Sequence, residues 1–326
     1  MRNITALQAK VEAYREEMEL DPSVIMIGED IAVQGGLWGQ YKGFADKFGL
    51  ERVVQTTLNE AGQGMFGVGL AFSGYRPVLE FGMVEFSTYT FSSIVCEAAK
   101  QRYMTYGALI CPIVFSMSHG GGYMLGGNHS SCGEAWFTNS PGLKVYVPLF
   151  PADIKGLMKH AIREDDPVVF LNSKARDIEG DVPDDGVDHI VKPGKANILK
   201  TGTDVTIVGW QWGILKALEA YDSMTAEGIH PEIIDIRTAV PLDTETICNS
   251  VAKTGRLVTI SESRRRGGFG NDIIAAVAEN NLADLKGKNS LQYVCGKDYP
   301  LPFGFGEKYI MPDKNALIEG VHKTLV

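Results

Sequence analysis

The chain has 326 residues, 44% of them hydrophobic, and a formal net charge of −9. The length suits two domains of ordinary size, and the apolar fraction excludes a disordered chain. The acidic balance, interrupted only by Arg264, Arg265 and Arg266, argues against non-specific binding to nucleic acid or to an anionic membrane. No apolar run reaches the roughly 18 residues of a spanning helix. Five scattered cysteines without CxxC spacing (Cys96, Cys111, Cys132, Cys248 and Cys295) fit a reducing compartment rather than a disulfide framework. With no signal peptide in Met1-Arg-Asn-Ile-Thr5, the expectation is a cytoplasmic protein, a processed organellar form being the alternative.

Thr5-Ala-Leu-Gln8 has capping-box spacing, and Leu7, Val11, Tyr14 and Met18 then recur at helical period, so the N-terminus is expected to run straight into a helix that Asp21-Pro22 closes. Val24–Ile27 reads as a buried strand ending in Gly28-Glu-Asp30. Residues 31–50 read as a loop with a short helix, and Val53-Val54 begins another strand. Ala61–Ser73 is expected to be helical, Pro77–Phe81 a strand, and Phe91–Arg102 a helix. After the strand at Ile113–Phe115 comes a glycine-rich loop, Gly120–Gly127. The strand Val145–Val147, a helix from Pro151 to about Glu164 and the strand Val168–Leu171 follow.

Residues 172–193, rich in Asp and Pro, read as a linker. The alternation then resumes with strands at Val205–Val208, Glu232–Asp235, Leu257–Ile260 and Leu291–Val294 and with helices between them. A last helix covers about Lys314–Leu325. Strands alternating with helices predict an α/β fold: two domains, 1–185 and 186–326, with mainly parallel sheets flanked by helices.

Gly62-Gln-Gly64-Met-Phe-Gly67 is a formal GxGxxG, with Glu80 or Glu85 about twenty residues on. Its lead-in, Gln55–Ala61, is polar and holds an acid, Glu60, which would repel a pyrophosphate at that helix start. Tight helix packing is the other reading of these glycines. Glu60 itself is either an ordinary helix-start glutamate or, with Leu58 before it and Phe81, Phe86 and Tyr89 beyond, an acid placed to grip a flat heteroaromatic ring.

His129, in a mobile glycine-rich loop, is a candidate general acid or base, as is His119; a surface histidine is the alternative for each. The spacing of His119, His129 and Cys132 matches no common zinc pattern, and no nucleophile elbow surrounds Ser130 or Ser131. Arg264–Gly270 reads either as an anion or partner contact or as a solvated loop.

In order and spacing, several segments resemble the β subunit of the 2-oxoacid dehydrogenase decarboxylase component, the pyruvate, branched-chain and acetoin dehydrogenase group. They include Gly28-Glu-Asp30, Leu58-Asn-Glu-Ala-Gly62, Gly69–Pro77, Glu97-Ala-Ala-Lys100, His129-Ser130, Pro141-Gly-Leu-Lys-Val145, Ala161–Pro167, Arg237–Asp243 and Pro300-Leu-Pro302. The resemblance implies a transketolase-like pair of domains: a pyrimidine-binding domain, then the transketolase C-terminal domain. It also implies thiamine diphosphate as cofactor, its aminopyrimidine held by this chain and its diphosphate, through Mg²⁺, by a separate α subunit. The family's Gly-Asp-Gly metal-diphosphate motif does not occur here, the nearest approach being Gly180-Asp-Val.

By resemblance, Glu60 bonds the pyrimidine ring nitrogen and favours the imino tautomer, while Leu58 and Phe86 pack against that ring. His129 assists acyl transfer to a lipoyl group, and Ile113, Ala161, Ile162, Glu164 and Asp166 stand at a potassium site found in some members. The chain departs from the family at Ser116-Met117, where an arginine is usual, and at Asn128-His-Ser-Ser131; both changes are expected near the substrate entrance. The function implied is oxidative decarboxylation of pyruvate or a close relative, active only with an α subunit in an α₂β₂ heterotetramer, with acyl transfer to a lipoyl acyltransferase core. Acetoin or a branched-chain 2-oxoacid is the alternative substrate. An NAD-dependent oxidoreductase using the glycines of residues 62–67 is the rival.

Overall fold

The computed structural model describes residues 1–184 and 186–326. The chain forms two units: residues 1–119 with 136–193, and residues 120–135 with 194–326. The boundary expected at residues 185 and 186 falls on Asp185, which lies outside the described residues. In chain order the first elements are β1 (Arg2–Thr5), α1 (Ala6–Leu20), β2 (Val24–Glu29), α2 (Phe44–Phe48), β3 (Val53–Thr56), α3 (Glu60–Phe72), β4 (Arg76–Met83), α4 (Ala99–Met104) and β5 (Val114–His119). Next come α5 (Glu134–Thr138), β6 (Lys144–Tyr146), α6 (Pro151–Arg163), β7 (Val168–Ser173) and β8 (Glu179–Val182). The remainder comprises β9 (Asn197–Lys200), β10 (Val205–Gly209), α7 (Trp212–Ala226), β11 (Pro231–Asp235), β12 (Thr238–Val240), α8 (Thr244–Thr254), β13 (Leu257–Arg264), α9 (Gly270–Asn281), β14 (Leu291–Gly296) and α10 (Lys314–Thr324).

In the first unit the strands lie in the order β6-β7-β5-β4-β2-β3, all parallel. Central strands of such a sheet are covered on both faces, which explains why Val24–Ile27 is an unbroken apolar run. Tyr14 and Met18 of α1 and Leu157 and Met158 of α6 close one face of this core.

The capping box at Thr5 forms as expected: Thr5 Oγ1 accepts from the Gln8 amide at 3.2 Å and Gln8 Oε1 from the Thr5 amide at 2.9 Å. The residues before it are not helical. Arg2–Thr5 form β1, antiparallel to β8 in what reads as a linker. No local pattern announces this pairing, because each four-residue strand is defined only by its distant partner.

Phe91–Arg102 also departs from the single α-helix expected. A 3₁₀ segment (Val84–Thr90) and a π-helical turn (Ser93–Ala98) precede α4. Here the Ala99 carbonyl comes against Gly142, where a Cβ would lie 1.9 Å from the oxygen. Side-chain periodicity carries no signal for such a contact.

The second unit has the strand order β14-β13-β10-β11-β9, parallel except for the antiparallel edge strand β9. β9 was not expected, since Asn197–Lys200 has one face in solvent and lacks an apolar run. Asp243 caps α8, its Oδ1 accepting from the Thr246 amide at 3.2 Å. Among the described residues no helix is long and apolar enough to cross a membrane.

Candidate active site

β2 and β3 run in register, Glu29 opposite Thr56, so both strands deliver the chain to the same carboxyl edge of the sheet. This is the edge where open α/β sheets bind ligands. Asp30 then takes a left-handed conformation (φ 54°), and its carbonyl accepts from the Gln34 and Gly36 amides. Beyond β3, Asn59 caps α3, its Oδ1 accepting from the Gly62 amide at 3.0 Å. Glu60 is half-buried in the first helical turn.

Glu29 faces the same space. Burial, then the charge of Glu60, then that of Asp30 raise its pKa above the usual carboxylate range, and among the described residues its buried Oε1 has no hydrogen-bond partner. Glu29, Asp30 and Glu60 thus form one acidic group at the sheet edge. Such a group repels a diphosphate and accepts hydrogen bonds from a heteroaromatic ring that carries N–H donors. Leu58, 81% exposed, stands two residues before Glu60. Phe86 is half-buried in the 3₁₀ segment after β4, over Gly82.

The GxGxxG does not form a phosphate cradle. Gly62, Gly64 and Gly67 all lie inside α3, and none occupies the strand-to-helix turn where that motif meets pyrophosphate. Their smallness serves packing. A Cβ at Gly64 would stand 1.8 Å from Thr90 Oγ1, and one at Gly67 would stand 2.6 Å from Leu79 Cδ1. Between Gly62 and Gly64, Gln63 is buried, its Nε2 donating to the carbonyls of Ile27 (3.3 Å) and Glu80 (3.2 Å), which ties α3 to β2 and β4. The opposite face of α3 exposes Ala61, Met65, Phe66 and Gly69.

His129 belongs to the second unit, at the end of a 3₁₀ turn (Gly127–His129), and is half-buried. Its amide donates to the Gly126 carbonyl at 3.1 Å, and the Gly120 amide donates to the Ser131 carbonyl at 2.7 Å, closing the loop at its base. His119 is buried at the end of β5 and is not a loop residue.

The positions expected to hold potassium already face the chain's own cations. Lys144 Nζ pairs with Glu164 (2.6 Å) and Asp166 (3.4 Å), and Arg102 pairs with Asp166 at 2.6 Å. Arg76 donates to the carbonyls of Ile162 (3.1 Å) and Glu164 (3.0 Å). The Ile113 carbonyl accepts from Val168 and the Ala161 carbonyl from Glu164. The carboxylates and carbonyls at these positions are thus engaged by the chain's own donors. Among the described residues no group of three or more His, Cys, Asp or Glu side chains could hold a metal ion.

The family model of the transketolase pyrimidine-binding domain matches residues 2–176, and that of the transketolase C-terminal domain matches residues 194–317. The chain is 38% identical, over 99% of its length and 86% of the relative's, to the pyruvate dehydrogenase E1 component subunit beta-2, mitochondrial, of Oryza sativa subsp. japonica. It is 37% identical, over 93% of each, to the 2-oxoisovalerate dehydrogenase subunit beta of Bacillus subtilis (strain 168). It is also 34% identical, over 100% of this chain and 99% of the relative, to the pyruvate dehydrogenase E1 component subunit beta of Staphylococcus aureus (strain Mu50 / ATCC 700699). The chain belongs to the transketolase-like E1 β family. A solved split-gene transketolase, described as an inactive β4 tetramer, shares the fold, with a TM-score of 0.78 at 23% identity over 99% of this chain and 98% of that one.

One departure from the E1 β pattern sits elsewhere than expected. Ser116 and Met117 are buried within β5, and Asn172 Nδ2 donates to Ser116 Oγ at 3.0 Å, so neither residue lines an entrance. The E1 β fold also reveals Glu29, which the sequence reading did not single out as a site residue. A signal for it was present: acids that follow an apolar parallel strand stand at the ligand edge of the sheet.

Proposed function

We propose that this chain is the β subunit of a thiamine-diphosphate-dependent 2-oxoacid dehydrogenase. It acts on pyruvate or a close relative, passes the acyl group to a lipoyl carrier and works in an α₂β₂ assembly. The observation that carries the reading is Glu60 at the head of α3, within an acidic group that suits an aminopyrimidine and opposes a diphosphate. The chain's residues therefore fit one end of the cofactor, and a second chain is needed for the other end and its Mg²⁺.

When bound, thiamine diphosphate supplies the electron sink for loss of carbon dioxide from the 2-oxoacid. Glu60 holds a proton at the pyrimidine nitrogen and so sets which tautomer of the ring is present. Leu58 and Phe86 give that ring apolar contact, which fixes its orientation. His129 would give a proton to the lipoyl sulfur released when the dithiolane S–S bond breaks and the other sulfur takes the acyl group. This reading does not require potassium; at that position Lys144 and Arg102 pair with the Glu164 and Asp166 carboxylates, and Arg76 donates to the Ile162 and Glu164 carbonyls.

The exposed face of α3, with Met65 57% and Phe66 48% exposed directly behind Glu60, supports an α subunit covering this edge. The five free cysteines fit a reducing compartment such as the cytoplasm. Branched-chain substrates remain the second reading, since the Bacillus subtilis relative is as similar as the pyruvate ones.

Calorimetric titration tests the proposal. Thiamine diphosphate with Mg²⁺ should bind tightly to the chain co-purified with its α subunit and weakly to the chain alone, and NAD should bind to neither. Tight NAD binding by the isolated chain would overturn the reading. A panel of pyruvate, 2-oxoisovalerate and acetoin then separates the substrates.

A further inference from the structure

The loop that carries His129 is held by two carboxylates distant in sequence. Gly121 N donates to Glu262 Oε2 at 2.6 Å, and Gly122 N donates to Glu307 Oε2 at 2.8 Å. The other oxygen of Glu307, Oε1, accepts from Ser130 Oγ at 3.4 Å. One carboxylate thus ties the outgoing limb of the loop at Gly122 to the returning limb at Ser130, the residue after His129. Glu307 is only 5% exposed, and its own backbone is fixed: its carbonyl accepts from the Ile310 and Met311 amides at 2.9 Å each. The same segment meets the loop again where Gly304 N donates to the Met124 carbonyl at 3.2 Å and Phe303 bridges to Leu125.

The glycines of the loop follow from this arrangement. A Cβ at Gly120 would stand 2.3 Å from Glu262 Oε1, and one at Gly121 would stand 2.5 Å from Met311 Sδ. The backbone must come this close for its amides to reach the acids. Glycine-rich loops are entropically costly to order, and charge-assisted bonds to backbone N–H groups are strong enough to offset that cost. Among the described residues the loop supplies both hydrogen bonds to the Glu307 carboxylate, so the buried acid and the ordered loop depend on each other.

We propose that Glu307, with Glu262 beside it, is a positioning residue that fixes the presentation of His129. This rests on the reading of His129 as the group that assists acyl transfer. Neither acid is given a contact with substrate or cofactor.

The test uses the full chain co-expressed with its α subunit, in variants Glu307→Ala, Glu307→Gln, His129→Ala and the Glu307→Ala/His129→Ala double variant. Three rates are read: amide exchange across residues 120–131, 2-oxoacid decarboxylation with ferricyanide as acceptor, and acylation of a purified lipoyl domain. Glu307→Ala should speed exchange at Gly121 and Gly122 by about tenfold or more, as loss of local protection does. It should slow lipoyl acylation about tenfold while ferricyanide turnover stays within about threefold, and Glu307→Gln should restore most of the loss. The double variant should be no slower than the slower single one.

Unchanged exchange in a folded Glu307→Ala chain overturns the proposal, as does an equal fall in both half-reactions or an additive double variant. Should His129→Ala leave acylation intact, the reading of His129 fails, and amide exchange alone then judges the clamp. If Glu307→Ala does not fold, Ser130→Ala removes one tie and spares the bond to Gly122. Faster exchange confined to residues 129–131 then supports the clamp, and unchanged exchange there overturns it.

Discussion

Gly64 and Thr90 meet so closely that a Cβ on Gly64 would stand 1.8 Å from Thr90 Oγ1, which fixes how near α3 lies to the 3₁₀ segment after β4. Gly64→Ala must push α3 away, and the expected cost is about 2 kcal/mol, in the range for overpacking a core. Gly69, on the same helix, has nothing within 4 Å of an added Cβ. Gly69→Ala should therefore be neutral or stabilise by up to about 1 kcal/mol through helix propensity. Denaturant midpoints of the two variants check the contrast.

Glu60→Gln keeps the size of the side chain and removes its charge. In the assembled enzyme, turnover should fall about 100-fold or more, the scale of losing an acid–base group. The Glu60 charge is the second cause of the raised pKa of Glu29, after burial. The same variant should thus lower the Glu29 pKa part of the way toward the usual carboxylate range. Carbon-13 titration of glutamate carboxyls reads this directly, and an unmoved Glu29 would show that the two acids are not coupled.

Glu134 is 1% exposed, and burial raises its pKa against the opposing effect of backbone and Ser263 hydrogen bonds to its carboxylate. A folded-state pKa above the unfolded one favours folding at low pH, and that contribution is lost as pH rises through the raised value. Glu134→Gln, always neutral, should gain about 1 kcal/mol over the parent at pH 8 and little at pH 4. Thermal midpoints at the two pH values decide it. An equal gain at both would assign the effect to packing.

Glu12 behaves in the opposite sense. Arg2 reaches both its oxygens at 2.9 and 2.8 Å, Lys155 pairs with it at 3.0 Å, and its pKa is held down to about 2. Its contribution is present above the ordinary carboxylate pKa and is lost as pH falls toward 2. Glu12→Gln should cost roughly 2 kcal/mol at pH 7 and about half of that or less at pH 3, measured by urea denaturation.

The amino-acid sequence by itself determined the α/β alternation, the capped start of α1, the two-domain character and Glu60 at a helix start. Each of these is local: an apolar run, a helical period or a capping residue within a few positions. It left the glycines of α3 open between a phosphate motif and close packing, because the answer lies in Thr90 and Leu79 rather than in α3.

Tertiary structure alone decided the rest. It paired β1 with β8, brought Glu29 beside Glu60, buried Ser116 inside the sheet and set Glu307 against both limbs of the His129 loop. It also set Arg76, Arg102 and Lys144 against the groups at the expected potassium position. These relationships join residues far apart in the chain, and no propensity or spacing records which distant side chain will supply a charge or a hydrogen bond.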